Sequence, residues 1–264
     1  MEARESAGHS ERSKVTVSIV VLVVDRLDML RRCVESVEAH TRSPYEWVFI
    51  LNGPSPEVRA YVESLPLQPP CTGHWVGVSE TNKGVTPGRN HGILLAQGDL
   101  ILFLDDDAWV SEIVEAMPRF YDGYGDWLDR MAQYFENDPK VGVVSQSGSY
   151  LNTQGGAPFW GCKVAGAECD VGMGYCFMFR RSLVNEIGPL DPYFGHFWHE
   201  ESEFALRTKA AGYKVINAGY IGVSHAGAGS GDDGTSDDKL RYIFRKWSAR
   251  FPEILVPREG WNKV

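Results

Sequence analysis

The sequence predicts an α/β protein with a mixed, mainly parallel, doubly wound sheet flanked by helices. Three observations carry that reading. Apolar runs of strand length alternate with segments of helical period from residue 15 to residue 79, the β-α-β-α-β pattern of parallel strands joined by crossover helices. Leu100-Ile101-Leu102-Phe103-Leu104 is apolar at every position, as a strand buried on both faces requires. That run ends in Asp105-Asp106-Asp107, which puts three carboxylates at the C-terminal edge of the sheet, where open α/β sheets bind ligands.

Taken in order, residues 1–14 are polar, mixed in charge and without apolar period, and read as a disordered tail. Residues 15–24 make the first buried strand, and the helix after it carries Leu27, Leu30, Val34 and Val37 on one face. A second strand at 45–51 closes in Asn52-Gly53-Pro54. A helix at 57–65, a loop at 66–72 and a third strand at 74–79 follow. Glycines punctuate residues 81–92, a loop that opens a helix running to about residue 97.

Beyond the aspartates, 111–137 reads as one or two helices broken at Pro118 and at 122–126, and 141–146 as a strand. Residues 147–170, rich in Gly, Asn, Thr, Trp and Cys, read as a long irregular loop of the functional kind. A strand at 172–180, a helix at 181–187, a helix beginning near His199 and a strand at 213–218 come next. His225 then falls in a loop of small residues, and an amphipathic helix at 237–251 presents Leu240, Ile243, Phe244 and Trp247 on one side. Neither repeat nor linker divides the chain, so residues 15–250 are expected to share one core, with 231–264 a closing helix and tail.

Composition excludes several classes of function. At 264 residues, 43% hydrophobic and 23% charged, the chain is long enough for a large buried core. A net charge of -9 argues against a broad basic surface for nucleic acid or anionic lipid. The longest apolar run, 15–24, is too short to span a bilayer and lacks the flanks of a signal peptide. A cytoplasmic protein without a transmembrane segment is therefore expected, with peripheral membrane contact left open. Five cysteines without close pairs fit reduced thiols better than disulfides or a zinc site.

Four groups of residues carry chemistry. Asp105, Asp106 and Asp107 repel one another unless a cation neutralises them; the alternative is a solvated turn capping the next helix. Lys83 and Arg89, at a helix start with free backbone N–H groups, could hold phosphate oxygens or a base edge, although such loops are often plain turns. Glu200 and Glu201 read equally as first-turn carboxylates favoured by the helix dipole. His225 alone would be a surface or hydrogen-bonded residue.

Set in order, these pieces resemble the inverting glycosyltransferases of family 2, which have a GT-A fold and use nucleotide-sugar donors. The matching segments are Val17-Ser18-Ile19-Val20-Val21, Asn82-Lys83-Gly84 with Gly88-Arg89-Asn90-His91-Gly92, Gly98-Asp99 leading into Leu104-Asp105-Asp106-Asp107, Gly188-Pro189-Leu190-Asp191, and His199-Glu200-Glu201-Ser202-Glu203-Phe204-Ala205-Leu206-Arg207. The resemblance implies one GT-A domain over 15–250, with a nucleotide-sugar-binding half at 15–146 and an acceptor and catalytic half at 147–230. It implies Asp107 and His225 as ligands of Mn²⁺ or Mg²⁺, with Asp105 shared between the metal and the donor ribose and Asp106 between them.

Glu201 takes the place of the family's aspartate base, one methylene longer, with Glu200 the alternative. Val23-Val24-Asp25-Arg26 replaces the common Pro-Thr-Tyr-Asn at the end of the first strand, and Asn52 stands where an acidic residue often meets the nucleobase; Val24, Asp25 and Asn52, with Lys83, Arg89, Asp105 and Asp106, make up the expected donor site. Trp160, Trp198 and His199 could stack on an acceptor. The implied partners are a UDP- or dTDP-sugar donor and a saccharide, lipid-linked or small-molecule acceptor, with no nucleic acid. The rival readings are a sugar nucleotidyltransferase, a retaining transferase of the same fold and a non-catalytic carbohydrate-binding module.

Overall fold

A computed structural model describes residues 16–66, 68–111, 125–153, 158–227 and 234–257. The expected tail at 1–14, the break at Pro118 and the C-terminal end lie outside the described residues. In chain order, β1 (Val17–Val23), α1 (Leu27–His40), β2 (Tyr45–Asn52), α2 (Pro56–Ser64), β3 (Cys71–Ser79), α3 (Val85–Leu95) and β4 (Leu100–Leu104) follow the predicted alternation. β2 and β4 are buried at every residue; β4 is apolar throughout, and the polar Glu46 and Asn52 of β2 are hydrogen-bonded. α1 buries Leu30, Cys33, Val34 and Val37, the stripe its 3.6-residue period defines.

The second half departs further from expectation. β5 (Ala108–Val110) directly follows the aspartates, where a turn into a helix was expected, and α4 is Trp127–Asn137, capped by Asp126 through Leu128 and Asp129 N–H. After β6 (Val141–Ser145), the supposed irregular loop contains β7 (Gly148–Leu151), β8 (Phe159–Gly161) and β9 (Glu168–Cys169); β10 (Val171–Gly172) pairs with β7, which pairs with β8. These strands are two to four residues long, too short for alternation to be visible in sequence. β11 (Cys176–Arg180), α5 (Arg181–Ile187), α6 (Glu200–Ala210), β12 (Lys214–Asn217), β13 (Val223–His225), α7 (Ser236–Trp247) and α8 (Phe251–Ile254) complete the chain. His225 thus ends a strand, not a loop. Residues 237–251 also break after Trp247, into a 3₁₀ turn and α8.

The main sheet has the order β3-β2-β1-β4-β11-β6-β12-β9. β1 pairs in parallel with β2 and β4, β2 with β3, and β6 with β12, while β11 runs antiparallel between β4 and β6 and β9 runs antiparallel to β12. Chain order reverses at β1, with β2 on one side and β4 on the other, and a crevice opens beyond the carboxyl ends of strands at such a switch point. One apolar layer packs beneath α1, α2 and α4; the other packs beneath α3, α6 and α7.

α3 lies unusually close to β1. A Cβ built on Gly92 would sit 2.3 Å from Val20 Cγ1, and Val20 is β-branched, buried and held in one rotamer. Gly92→Ala should therefore lower stability, because overpacking of about 1–3 kcal/mol exceeds the gain in helix propensity of about 1 kcal/mol; urea denaturation of the two proteins measures the difference.

Candidate active site

The site forms at the switch point because the sheet brings distant segments to one edge. β13 pairs antiparallel with β5 in a register that sets His225 opposite Ala108. This places the imidazole beside the aspartates: His225 Nε2 is 2.9 Å from Asp107 Oδ1 and 3.5 Å from Asp105 Oδ2. Asp105, Asp107 and His225 each offer a ligand atom within 4.8 Å of the others. Two carboxylates and an imidazole form a donor set suited to Mn²⁺, and to Mg²⁺ where phosphate oxygens or water complete the shell.

Arg26, part of the first-strand end that departs from the family pattern but assigned no role from sequence, reaches the cluster from the end of β1. Its guanidinium pairs with Asp106 Oδ1 and, at 3.1 Å, with Asp107 Oδ2. Its signal was its place, next to Asp25 at the end of the first strand. Burial pushes the Asp106 carboxyl up to about 7, helped by the charges of Asp105 and Asp107 and opposed by Arg26. Burial also works against ionised Asp107, but His225 and Arg26 outweigh it and hold that carboxyl below its usual range. His225 shows the reciprocal effect: burial lowers its pKa, yet the two carboxylates carry it up to about 9. The site thus attracts positive charge, and a proton on His225 supplies some of it.

The second cluster lies at the start of α6. Arg89, buried, donates from Nη1 to Glu200 Oε1 at 2.8 Å and from Nη2 to Asp105 Oδ1 at 2.8 Å and Gly174 O at 2.9 Å. Burial is the main force raising the Glu200 pKa to about 7, followed by the charge of Glu201, with Arg89 opposing. Glu201 is also raised, by burial first, and Arg89 again opposes. Glu201 differs in access: it is partly exposed, and its Oε1 accepts a long 3.4 Å bond from Ser202 Oγ. The helix is entered through Trp198 and His199, both left-handed at φ 71° and 72°, a conformation costing roughly 1–3 kcal/mol per non-glycine residue. His199 is held there by Phe159, whose ring lies 5.5 Å away, and by a 3.2 Å hydrogen bond between Nε2 and Ser236 Oγ.

Several expected donor contacts are committed elsewhere. Val85 N–H donates to His196 O and Thr86 N–H to Gly195 O, so the start of α3 has no free N–H groups there for phosphate. Gly84, at φ 95°, allows this approach; a Cβ there would lie 2.7 Å from His196 Cα. Asn52, buried, donates to Asn82 Oδ1 and Gly84 O and accepts from Lys83 N–H, so its amide holds the 82–84 loop. Arg89 is likewise spent on Asp105 and Glu200. Lys83 and Asp25 are exposed and Val24 is partly so, on the same edge of the sheet, while Trp160 and Trp198 are 43% and 44% exposed. The other sequence elements interlock: Asn90 exchanges two 2.9 Å bonds with the Leu190 backbone, and Arg207 donates to the carbonyls of Ile187, Gly188 and Pro189.

Comparison with known proteins agrees with this geometry. The model of the family "Glycosyl transferase family 2" matches residues 18–159, more than half the chain. The chain belongs to that family. One relative, the uncharacterized glycosyltransferase YwdF of Bacillus subtilis, is 27% identical over 225 residues, covering 84% of this chain and 78% of its own. Among solved structures, the mannosyltransferase PcManGT from Pyrobaculum calidifontis, in complex with GDP-Man and Mn²⁺, superposes with a TM-score of 0.58 at 16% identity, over 78% of this chain and 55% of that one. GalNAc-T7 with UDP, GalNAc and Mn²⁺ gives 0.66 at 14% identity, over 92% and 50%. This family 2 chain thus has the GT-A fold and spans about half the length of those two structures.

Because Arg89 is the counter-charge of buried Glu200, Arg89→Met should destabilise the protein by about 3–5 kcal/mol, the typical cost of stranding a buried charge. Arg89→Lys should recover little of it, since one ammonium cannot span both carboxylates and Gly174 O. Urea midpoints of the three proteins check both expectations.

Proposed function

We propose that this protein is a metal-dependent inverting glycosyltransferase that moves a sugar from a nucleoside-diphosphate donor, of the UDP or dTDP type, to an acceptor hydroxyl. The observation that carries the reading is the juxtaposition of a cation site, Asp105, Asp107 and His225, with a high-pKa carboxylate pair through one buried arginine. Among the described residues, five carboxyls, those of Asp105, Asp106, Asp107, Glu200 and Glu201, face two guanidiniums, Arg26 and Arg89, and the His225 imidazole. A divalent cation offsets much of the remaining negative charge and allows a diphosphate to approach. Bound there, Mn²⁺ or Mg²⁺ would stabilise charge developing on the leaving diphosphate.

The chain's own residues divide the remaining work. Glu201, partly exposed and raised in proton affinity by burial, takes the acceptor proton as the glycosidic bond forms; Glu200, fixed by Arg89, holds the start of α6 in place. Trp160 and Trp198 offer exposed aromatic faces to the acceptor, and His199 positions the turn that precedes the base. Lys83, Val24 and Asp25 border the donor side. In this arrangement the first half of the chain binds the nucleotide sugar and the 147–230 half receives the acceptor, within a single domain. Among the described residues no helix is long and apolar enough to cross a membrane.

The reading is tested with purified protein, a panel of nucleotide sugars and Mn²⁺, following sugar release and, once an acceptor is found, the anomeric configuration of the product; inversion is expected, and retention would count against Glu201 as base. Asp107→Ala should abolish metal-dependent donor binding measured by calorimetry. Glu201→Gln should bind donor normally and lose about 10²–10⁴-fold in turnover.

Metal affinity should rise with pH, because the His225 proton has to leave before its nitrogen can ligate. Below about 9 the apparent affinity is expected to fall by about tenfold per pH unit, and titrations with Mg²⁺ between pH 6.5 and 8.5 should display that slope.

A further inference from the structure

We infer that Tyr175 is a positioning residue for the metal site, holding the ligands Asp105 and His225 from one side chain and one carbonyl. The inference rests on reading Asp105, Asp107 and His225 as a divalent-cation site. Tyr175 lies just before β11, whose antiparallel register sets Cys176 opposite Leu104 and so brings Tyr175 against Asp105. Its carbonyl accepts the Asp105 N–H at 3.0 Å. Its ring lies parallel to the His225 imidazole, with centroids 4.6 Å apart and planes 4° apart. Its hydroxyl is 2.9 Å from both Gln146 Nε2, which donates to it, and Ser147 Oγ.

Gln146 closes the loop back to the metal site. It is buried; its Nε2 also donates to Val223 O at 2.7 Å, and its Oε1 accepts from Val223 N–H at 3.1 Å and Ile221 N–H at 3.4 Å. Val223 starts the strand that ends in His225. The amide that fixes the Tyr175 ring therefore also fixes the backbone carrying the imidazole.

Each contact alone is ordinary. Together they set the imidazole plane and the start of the aspartate turn from a single residue. An imidazole free to rotate about χ2 would lose that freedom on binding a cation, and a parallel ring removes it beforehand. The electron-rich phenol face also favours an imidazole whose electrons a bound cation withdraws. Tyr175 is not itself a ligand, since its hydroxyl is engaged by Gln146 and Ser147.

The test uses the full chain and Mn²⁺ alone, with free Mn²⁺ read by its electron paramagnetic resonance signal for wild type, Asp107→Ala, Tyr175→Phe and Tyr175→Leu. Thermal unfolding in chelator reports whether each variant is folded. Tyr175→Leu is expected to raise the Kd for Mn²⁺ by about 10–100-fold, the usual effect of losing an outer-shell partner, and its transfer activity should return at saturating Mn²⁺, a rescue that a merely structural lesion would not show. Tyr175→Phe keeps the ring but frees it from Gln146, and should fall between. A folded Tyr175→Leu that binds Mn²⁺ like wild type overturns the inference. Should that variant not fold, Tyr175→Phe decides, and an unchanged Kd overturns it. If wild type and Asp107→Ala bind Mn²⁺ alike, the metal reading itself fails and takes the inference with it.

Discussion

The rest of the site depends on one buried guanidinium. Arg89 leaves α3 at the level where β4 ends, and its two terminal nitrogens bind Asp105 on the cation side and Glu200 at the start of α6. A planar fork can do this and a single ammonium cannot, because two acceptors and a carbonyl must be met from fixed directions. Both carboxylates would be costly to leave alone in this environment, so the arginine sets the distance between the acidic turn and the helix. Its ring contact adds to the constraint: the guanidinium lies 5.0 Å from the centre of Phe103, inside the sheet's apolar layer.

Around that anchor the charges are arranged unequally. Arg26 partners two of the three aspartates from the β1 side, and the third, Asp105, is shared by Arg89 and His225. The same three consecutive residues therefore experience opposite effects: the Asp106 carboxyl is pushed up, while those of Asp105 and Asp107 are held down by the cations that face them. Burial acts on all three, and the partner each one meets decides the outcome. Glu200 and Glu201 are both raised in pKa, mainly by burial, but differ in exposure: Glu200 is buried against Arg89 and Glu201 is partly exposed.

Much of this was legible in the residues. The β-α-β-α-β order, the buried strand before the aspartates and the apolar stripe of α1 follow from periodicity, because long elements repeat their pattern often enough to be read. Asp105, Asp107, Glu200, Glu201 and His225 could be picked out as candidate residues. β5 and the small strands within 147–170 could not, since two to four residues carry no period and gain their ladder bonds only from partners elsewhere in the chain. The backbone N–H groups expected to be free at the start of α3 are engaged, for a related reason: glycines announce a close backbone approach but not what approaches, and here it is the carbonyls of Gly195 and His196.

By itself, then, the sequence determined the long strands of the sheet, its acidic C-terminal edge and the residue types available there, because local pattern and chemical type are properties of neighbours along the chain. Only the tertiary structure decided the partnerships. Pairing of β13 with β5 sets His225 beside Asp107, Arg89 turns to Glu200 and Asp105 instead of outward, Asn52 spends its amide on the 82–84 loop, and Arg26 and Tyr175 enter the site. Those contacts join residues far apart in sequence, and their geometry comes from strand register and from the cost of burying a charge without a partner or hydrogen bonds.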